Sequence, residues 1–328
     1  MSAPSTVAEA TKGMNWTGSG LHFSGLGHYY PRELVRNEGE VSIGGRTYSP
    51  EAVEELGVKS LHRADEEESV AYMAEQAARN ALARAGREPG ELDLVILANW
   101  TDRQWIPEIG PEVTARLGAD RALAFDVCGA CTGFVHGVQV AASMLAAQPT
   151  WKRAVVVAAD RFTRRARPGT RGQLIFGDAA GAVVLERGEA DREGLLQSTL
   201  ACDASQADTV AARDGWLRPR PELIELAIGS SLKVAGSLLD SGGIGVPDLD
   251  WLIPHPGNNA IHAGVKSGLT LPPEKFLTNF AERGNTGCAS IPIALSEFSE
   301  ANLVKPGDLV LSTAVGSGWY YGGLLFRV

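Results

Sequence analysis

A chain of 328 residues, 44% hydrophobic and 21% charged, has ordinary globular composition and can hold one large domain or two fused ones. Its formal net charge of −9 argues against a nucleic-acid binder, which more often carries a basic surface. Its four cysteines are too few for a disulfide framework, and no secretory pattern is expected ahead of them.

Residues 1–19 are small and polar and are expected to form a flexible tail. "GLHFSGLGHYY" from Gly20 then reads as a strand, and "SVAYMAEQAARNALARA", within Glu68 to Ala85, as a helix. "LDLVILA" from Leu92 and "ALAFDV" before Cys128 are strands, and "TGFVHGVQVAASMLAA" after Cys131 is a helix. The span from Val127 to Trp151 carries no charge and has the length of a membrane crossing. Its Thr132, His136, Gln139, Ser143, Gln148 and Thr150 favour a helix buried in a soluble core, so a cytoplasmic protein without a membrane span is expected. Further apolar runs are Arg153 to Asp160, Gly181 to Leu185, Leu249 to Pro254 and Asp308 to Ser312. Continuous apolar runs suit strands covered on both faces, and their alternation with helices predicts an α/β fold.

The order of elements repeats. "LDLVILANWTDRQ" at Leu92 returns as "LDWLIPHPGNN" at Leu249, an offset of 157 residues, and the same offset carries Cys131 onto Cys288. "CGACTG" therefore answers to "NTGCAS", and an apolar helix and a strand follow each. Residues 20–187 and 193–328 are predicted to be two pseudo-symmetric βα halves, with a site at their junction.

Cys128-x-x-Cys131 admits several readings on local grounds: a zinc half-site, a redox dithiol, two inert buried cysteines, or one nucleophile beside a turn residue. No second Cys-x-x-Cys completes a zinc site, and a dithiol leaves the duplication unexplained. As a nucleophile, Cys131 would sit at a helix N-terminus, where the dipole and free N–H groups favour thiolate. Five of the six histidines (His22, His28, His62, His136 and His262, the last on a helix surface) read as structural or solvated. His255 ends a buried apolar strand, where α/β proteins place chemistry, and Asn285 lies in the turn equivalent to that of Cys131. "VGSGWYYGG" lacks the spacing of a dinucleotide fingerprint but can aim backbone N–H groups at an oxyanion.

The set "DVCGACTGF", "FGDAAGAVVLE", "IPHPGNNAI", "RGNTGCASIPIAL" and "GSGWYYGG" resembles β-ketoacyl-acyl-carrier-protein synthase III and its thiolase-fold relatives, from about Gly20 to the end. The resemblance implies a layered αβαβα fold and a Cys131, His255, Asn285 catalytic set, with backbone N–H groups of Cys131 and Gly318 as an oxyanion hole. It implies acylation of Cys131 from coenzyme A or a carrier protein, then decarboxylative condensation with a malonyl-type thioester. Acyl transfer to a hydroxyl or amine is the alternative, and a non-catalytic partner subunit a further one. A coenzyme A or phosphopantetheine thioester would be the substrate, with no permanent cofactor and no metal, and a homodimer is implied. Asn258 matches a kept binding position, whereas Ala260 stands where the family usually has a carrier-docking arginine. Arg161, Arg164, Arg165, Arg167 and Arg171 form a basic cluster suited to phosphates or an acidic carrier, with Arg161, Arg164 and Arg165 the chosen candidates. Asp178 reads as structural, and the divergent loops at Asn37–His62 and after Leu185 point to a specialised member.

Overall fold

The computed structural model describes residues 13–328. In chain order the elements that position the site are β1 (Met14–Asn15), β2 (Leu21–Tyr29), α1 (Val70–Ala85), β3 (Leu94–Ala98), α2 (Ile109–Leu117), β4 (Leu123–Val127), α3 (Gly133–Ala147), β5 (Arg153–Arg161) and β6 (Asp178–Arg187). The second half contributes β7 (Leu195–Cys202), a hairpin of β8 (Val210–Arg213) and β9 (Trp216–Pro219), α4 (Leu223–Gly242), β10 (Trp251–Leu252), α5 (Asn259–Gly268), α6 (Ser290–Glu300), β11 (Leu309–Gly316) and β12 (Tyr320–Arg327).

One five-stranded sheet runs β2-β6-β5-β3-β4 and the other β1-β7-β12-β11-β10. In the first, β3 is parallel to β4 and β5, while β6 is antiparallel to β5 and β2. In the second, β10 and β11 are parallel, and β12 is antiparallel to β11 and β7. Thus β7-β12-β11-β10 repeats β2-β6-β5-β3, and the counterpart of β4 shrinks to a parallel bridge between Leu252 and Phe276.

Five layers result. Helices α1 and α2 cover one face of the first sheet, α3 and α6 lie between the sheets, and α4 and α5 cover the outer face of the second. The uncharged stretch read as a buried helix is α3: Phe134, Val135, Val138, Ala141, Ala142 and Leu145 are buried in the core shared by both sheets. Central helices with apolar residues on several sides are what a two-sheet sandwich requires. Helix α1 shows the local logic. Ser69 caps it by accepting from the Tyr72 N–H, Gly86 ends it in the left-handed region at φ 63°, and its alanines pack on β2. That packing is close because β2 offers Gly25 and Gly27.

The expected tail is corrected at its C-terminal end, and residues 1–12 lie outside the described residues. Met14 and Asn15 pair with Ser198 and Gln197, adding an edge to the second sheet. Trp16 is buried, and its Nε1–H donates to Ser198 Oγ at 2.8 Å. A bulky aromatic with a satisfied N–H anchors a segment whose small residues looked unstructured.

A Cβ at Gly27 would lie 2.3 Å from both the Ala77 carbonyl oxygen and the Ala81 nitrogen. Gly27→Ala is therefore expected to destabilise the protein by about 1–3 kcal/mol in chemical denaturation. An unchanged midpoint would show that α1 can move away.

Candidate functional site

Strand β4 delivers the chain to Cys128 and Gly129, and a single 3-10 turn, Ala130–Thr132, leads into α3. Ala130 is a non-glycine residue at φ +45°, and Thr132 closes the turn with N–H and Oγ1 bonds to the Gly129 carbonyl. Behind the turn lies Gly316 at the end of β11. A Cβ there would sit 3.0 Å from the Cys131 nitrogen and the Gly129 oxygen, so the two halves approach tightly here and any larger residue would have to push the turn back.

Cys131 is half-buried at this helix start, and Cys128 beside it is exposed; both are free thiols. Burial in apolar surroundings, and secondarily the Asp160 carboxylate, push the Cys131 thiol up, with a smaller opposing pull from its own backbone N–H. This corrects the expectation of a resting thiolate. Desolvation outweighs the helix N-terminus, and the residue rests as a thiol.

His255 follows β10 and is buried, its backbone N–H donating to the Thr313 carbonyl at 2.8 Å. Burial, then the nearby His262, depress its pKa to about 3, with the Gly287 backbone partly opposing, so the imidazole is neutral. His262 is itself buried, edge-on to Phe276 and Phe280, and does not sit on a helix surface as expected. The first turns of α5 face inward because the chain must return over the second sheet's core.

Asn285 is buried between the halves, its backbone bonded to Ile175 and Gly177. Its Oδ1 accepts the Gly287 N–H at 3.0 Å, which fixes the amide orientation. Its Nδ2 then donates to the Gly257 carbonyl at 3.1 Å and keeps a second N–H. Asn285 is thereby committed as a donor.

Cys131, His255 and Asn285 all open onto one cavity of about 1180 Å³, with Asn258, Gly318 and Cys128 also in its wall. Gly318 takes φ +92°, and its carbonyl accepts from the Cys202 thiol at 3.2 Å. Asn258 caps α5, its Oδ1 accepting from the Ile261 N–H. The three chosen arginines are not brought to the cavity. Arg161 pairs with Asp102, Arg164 with Glu66 and Arg165 with the Thr101 carbonyl. Four others line it: Arg167 and Arg171 from the same cluster, Arg46 from the Val41–Tyr48 hairpin, and Arg218 from β9. Arg46 and Arg218 lie on the two segments whose sequences departed from the family pattern.

Asp160 was missed. It is fully buried at the end of β5, and its pKa is raised to about 6 by burial, against opposing hydrogen bonds. One oxygen accepts from Trp100 N–H, Thr101 N–H and Thr101 Oγ1, and the other from Cys288 N–H at 2.9 Å. A lone acid ending the apolar run "RAVVVAAD" was the available signal, the same one that marked His255. Asp178 holds Ala64 and Thr163 by their N–H groups.

Two family models match: one described as 3-oxoacyl-(acyl-carrier-protein) synthase III over residues 125–204, the other as its C-terminal part over residues 239–328. A β-ketoacyl-(acyl-carrier-protein) synthase III of Erythrobacter litoralis is 35% identical over 315 residues, covering 92% of this chain and 98% of that protein. The crystal structure of the Aquifex aeolicus synthase III superposes with a TM-score of 0.85 at 32% identity, covering 94% of this chain and 100% of that one. The priming β-ketosynthase of a polyketide biosynthetic pathway superposes at 0.83 with 26% identity, covering 94% and 96%.

With a folded pKa of about 3, His255 is expected to remain neutral between about pH 5 and 8. Because that value lies below the unfolded 6.5, its contribution to stability is present above pH 6.5 and is lost as pH falls towards 3. An NMR titration of the ring resonances tests this; a midpoint near 6.5 would contradict the burial assigned to it.

Proposed function

The chain belongs to the 3-oxoacyl-(acyl-carrier-protein) synthase III family and is an acyl-transferring condensing enzyme with a thiolase-like fold; from that premise we propose that it performs a two-stage condensation on Cys131. In the first stage the Cys131 sulfur attacks the carbonyl of an acyl-coenzyme A or acyl-carrier thioester. The C–S bond to the donor breaks, and the proton of Cys131 leaves with the donor thiol. In the second stage a malonyl-type thioester binds with its carbonyl between His255 and Asn285. Its carboxylate leaves as carbon dioxide, the electron pair moves into an enolate, and the enolate carbon attacks the acyl carbonyl on Cys131. The C–S bond to Cys131 breaks, the β-ketoacyl thioester leaves, and the released Cys131 thiolate takes one proton from solvent to restore the thiol.

The observation that carries this reading is the shared cavity with its committed donor. Gly287 N–H orients the Asn285 amide, and the remaining Nδ2–H is available to donate towards a developing oxyanion. A neutral imidazole and an amide stabilise an enolate by hydrogen bonds without protonating its carbon. Backbone N–H groups of Cys131 and Gly318 would hold the oxyanion formed on the acyl carbon. A sulfur nucleophile suits a bond that must be made and then broken by carbon.

The arginines at the cavity, Arg46, Arg167, Arg171 and Arg218, support a phosphate-bearing arm, whether coenzyme A or a carrier's phosphopantetheine. They are a local basic set on a chain of net charge −9, which favours an acidic carrier at this face. The loop after β3 carries Trp105 and Ile106, 78% and 94% exposed, as a surface for a second copy in a homodimer. A specialised cytoplasmic member, of the kind represented by the priming ketosynthase, fits the divergent hairpins at the mouth.

Intact-protein mass spectrometry after exposure to acyl thioesters is expected to show one acyl mass on wild type and none on Cys131→Ala. His255→Ala and Asn285→Ala should still acquire the acyl group while forming condensed product about 10²–10³-fold more slowly. Acylation that survives Cys131→Ala would overturn the assignment.

A further inference from the structure

Three adjacent parallel strands, in the order β4-β3-β5, end at the same edge of the first sheet. The Cys131 turn follows β4, Trp100 comes two residues after β3, and Phe162 immediately follows β5. The nucleophile and two large aromatics are thus placed side by side by strand topology, and all line the same cavity.

Trp100 is held firmly. Its backbone N–H donates to Asp160 Oδ1 at 3.2 Å. Its indole meets the Phe162 ring edge-on at 5.4 Å and 81°, and Phe162 stacks on Phe176 at 4.1 Å and 9°. Phe162 is 2% exposed, so the ring against which the indole leans has no free volume to retreat into. The indole Nε1–H is buried without a protein partner among the described residues, so packing and not a hydrogen bond orients the ring.

We propose that Trp100 is a specificity-determining residue, its indole closing the acyl side of the cavity so that Cys131 accepts short acyl groups and excludes long ones. This rests on the reading of Cys131 as the acylated nucleophile. A rigid aromatic wall excludes extra methylenes by overlap, because Phe162 and Phe176 block its displacement; a flexible side chain would yield. Charged residues at the cavity come from other segments: Arg46 and Arg218 from the two hairpins, Arg167 and Arg171 from the loop after Ala166, and Asp208 from the loop before β8. The aromatic trio therefore presents an apolar surface suited to a hydrocarbon and not to a phosphate.

The test measures the rate of acyl mass gain on the full chain with acetyl-, butanoyl-, octanoyl- and decanoyl-coenzyme A, for wild type, Trp100→Ala and Trp100→Leu. Wild type is expected to load acetyl and butanoyl groups far faster than decanoyl. Both variants should raise the decanoyl-to-acetyl rate ratio by at least about tenfold. Acetyl loading reports folding in each variant, and the leucine variant keeps the comparison available if the alanine variant does not fold. An unchanged ratio in a variant that still loads acetyl, or a wild type that loads decanoyl as fast as acetyl, overturns the role of Trp100 alone. No acyl mass on wild type with any donor overturns the reading of Cys131, and this proposal with it.

Discussion

The two halves meet where the N-termini of α3 and α6 approach each other, and one buried carboxylate holds them there. Asp160 comes from β5 of the first half, and through Cys288 N–H it grips the turn that opens α6 of the second. Its other oxygen fixes Trp100 and Thr101 at the end of β3. A buried charge is costly unless donors satisfy it, and here backbone N–H groups from both halves do so. The approach is close enough that a Cβ at Gly133 would lie 3.2 Å from Cys288 Cβ, and one at Gly287 would lie 2.4 Å from Asp160 Oδ2. Every catalytic candidate is referenced to this junction: Cys131 two residues before Gly133, Asn285 bonded to Gly287, and His255 beside the Gly287 backbone.

The same junction sets the electrostatics. Burial keeps His255 neutral and Cys131 protonated, and the Asp160 charge adds to the second effect. The site therefore rests without a fixed ion pair between nucleophile and base. Such a state suits a reaction in which charge appears only on transient oxyanions, each met by preorganised donors. Formal positive charge in the cavity wall is carried by Arg46, Arg167, Arg171 and Arg218, the last paired with Asp214.

Much of this was legible because it is written twice. The 157-residue offset between the halves paired the Cys131 turn with the Asn285 turn, and the two sheets repeat a four-strand order in the same way. His255 was visible as a polar residue ending an apolar strand. The arginines were not assignable from the cluster alone, because Arg161 and Arg164 find acids 59 and 98 residues away, and only folding shows those charges already satisfied. His262 reads as a surface residue on its helix, but Phe276 and Phe280, the latter opening the short helix Phe280–Arg283, cover it. Met14 and Asn15 carry no strand signal; their pairing depends on an open sheet edge at β7. The resting thiol was missed because the helix N-terminus is a local feature of sequence, whereas the desolvation opposing it comes from the whole fold.

We propose that His255 and Asn285 form a station for the extender that works separately from the sulfur. Carbon dioxide release from a malonyl thioester, followed on the Cys131→Ala protein, tests it most directly. Release is expected to persist without Cys131 and to fall about 10²–10³-fold when Asn285→Ala is added. Release that requires Cys131 yet is indifferent to Asn285 would contradict it.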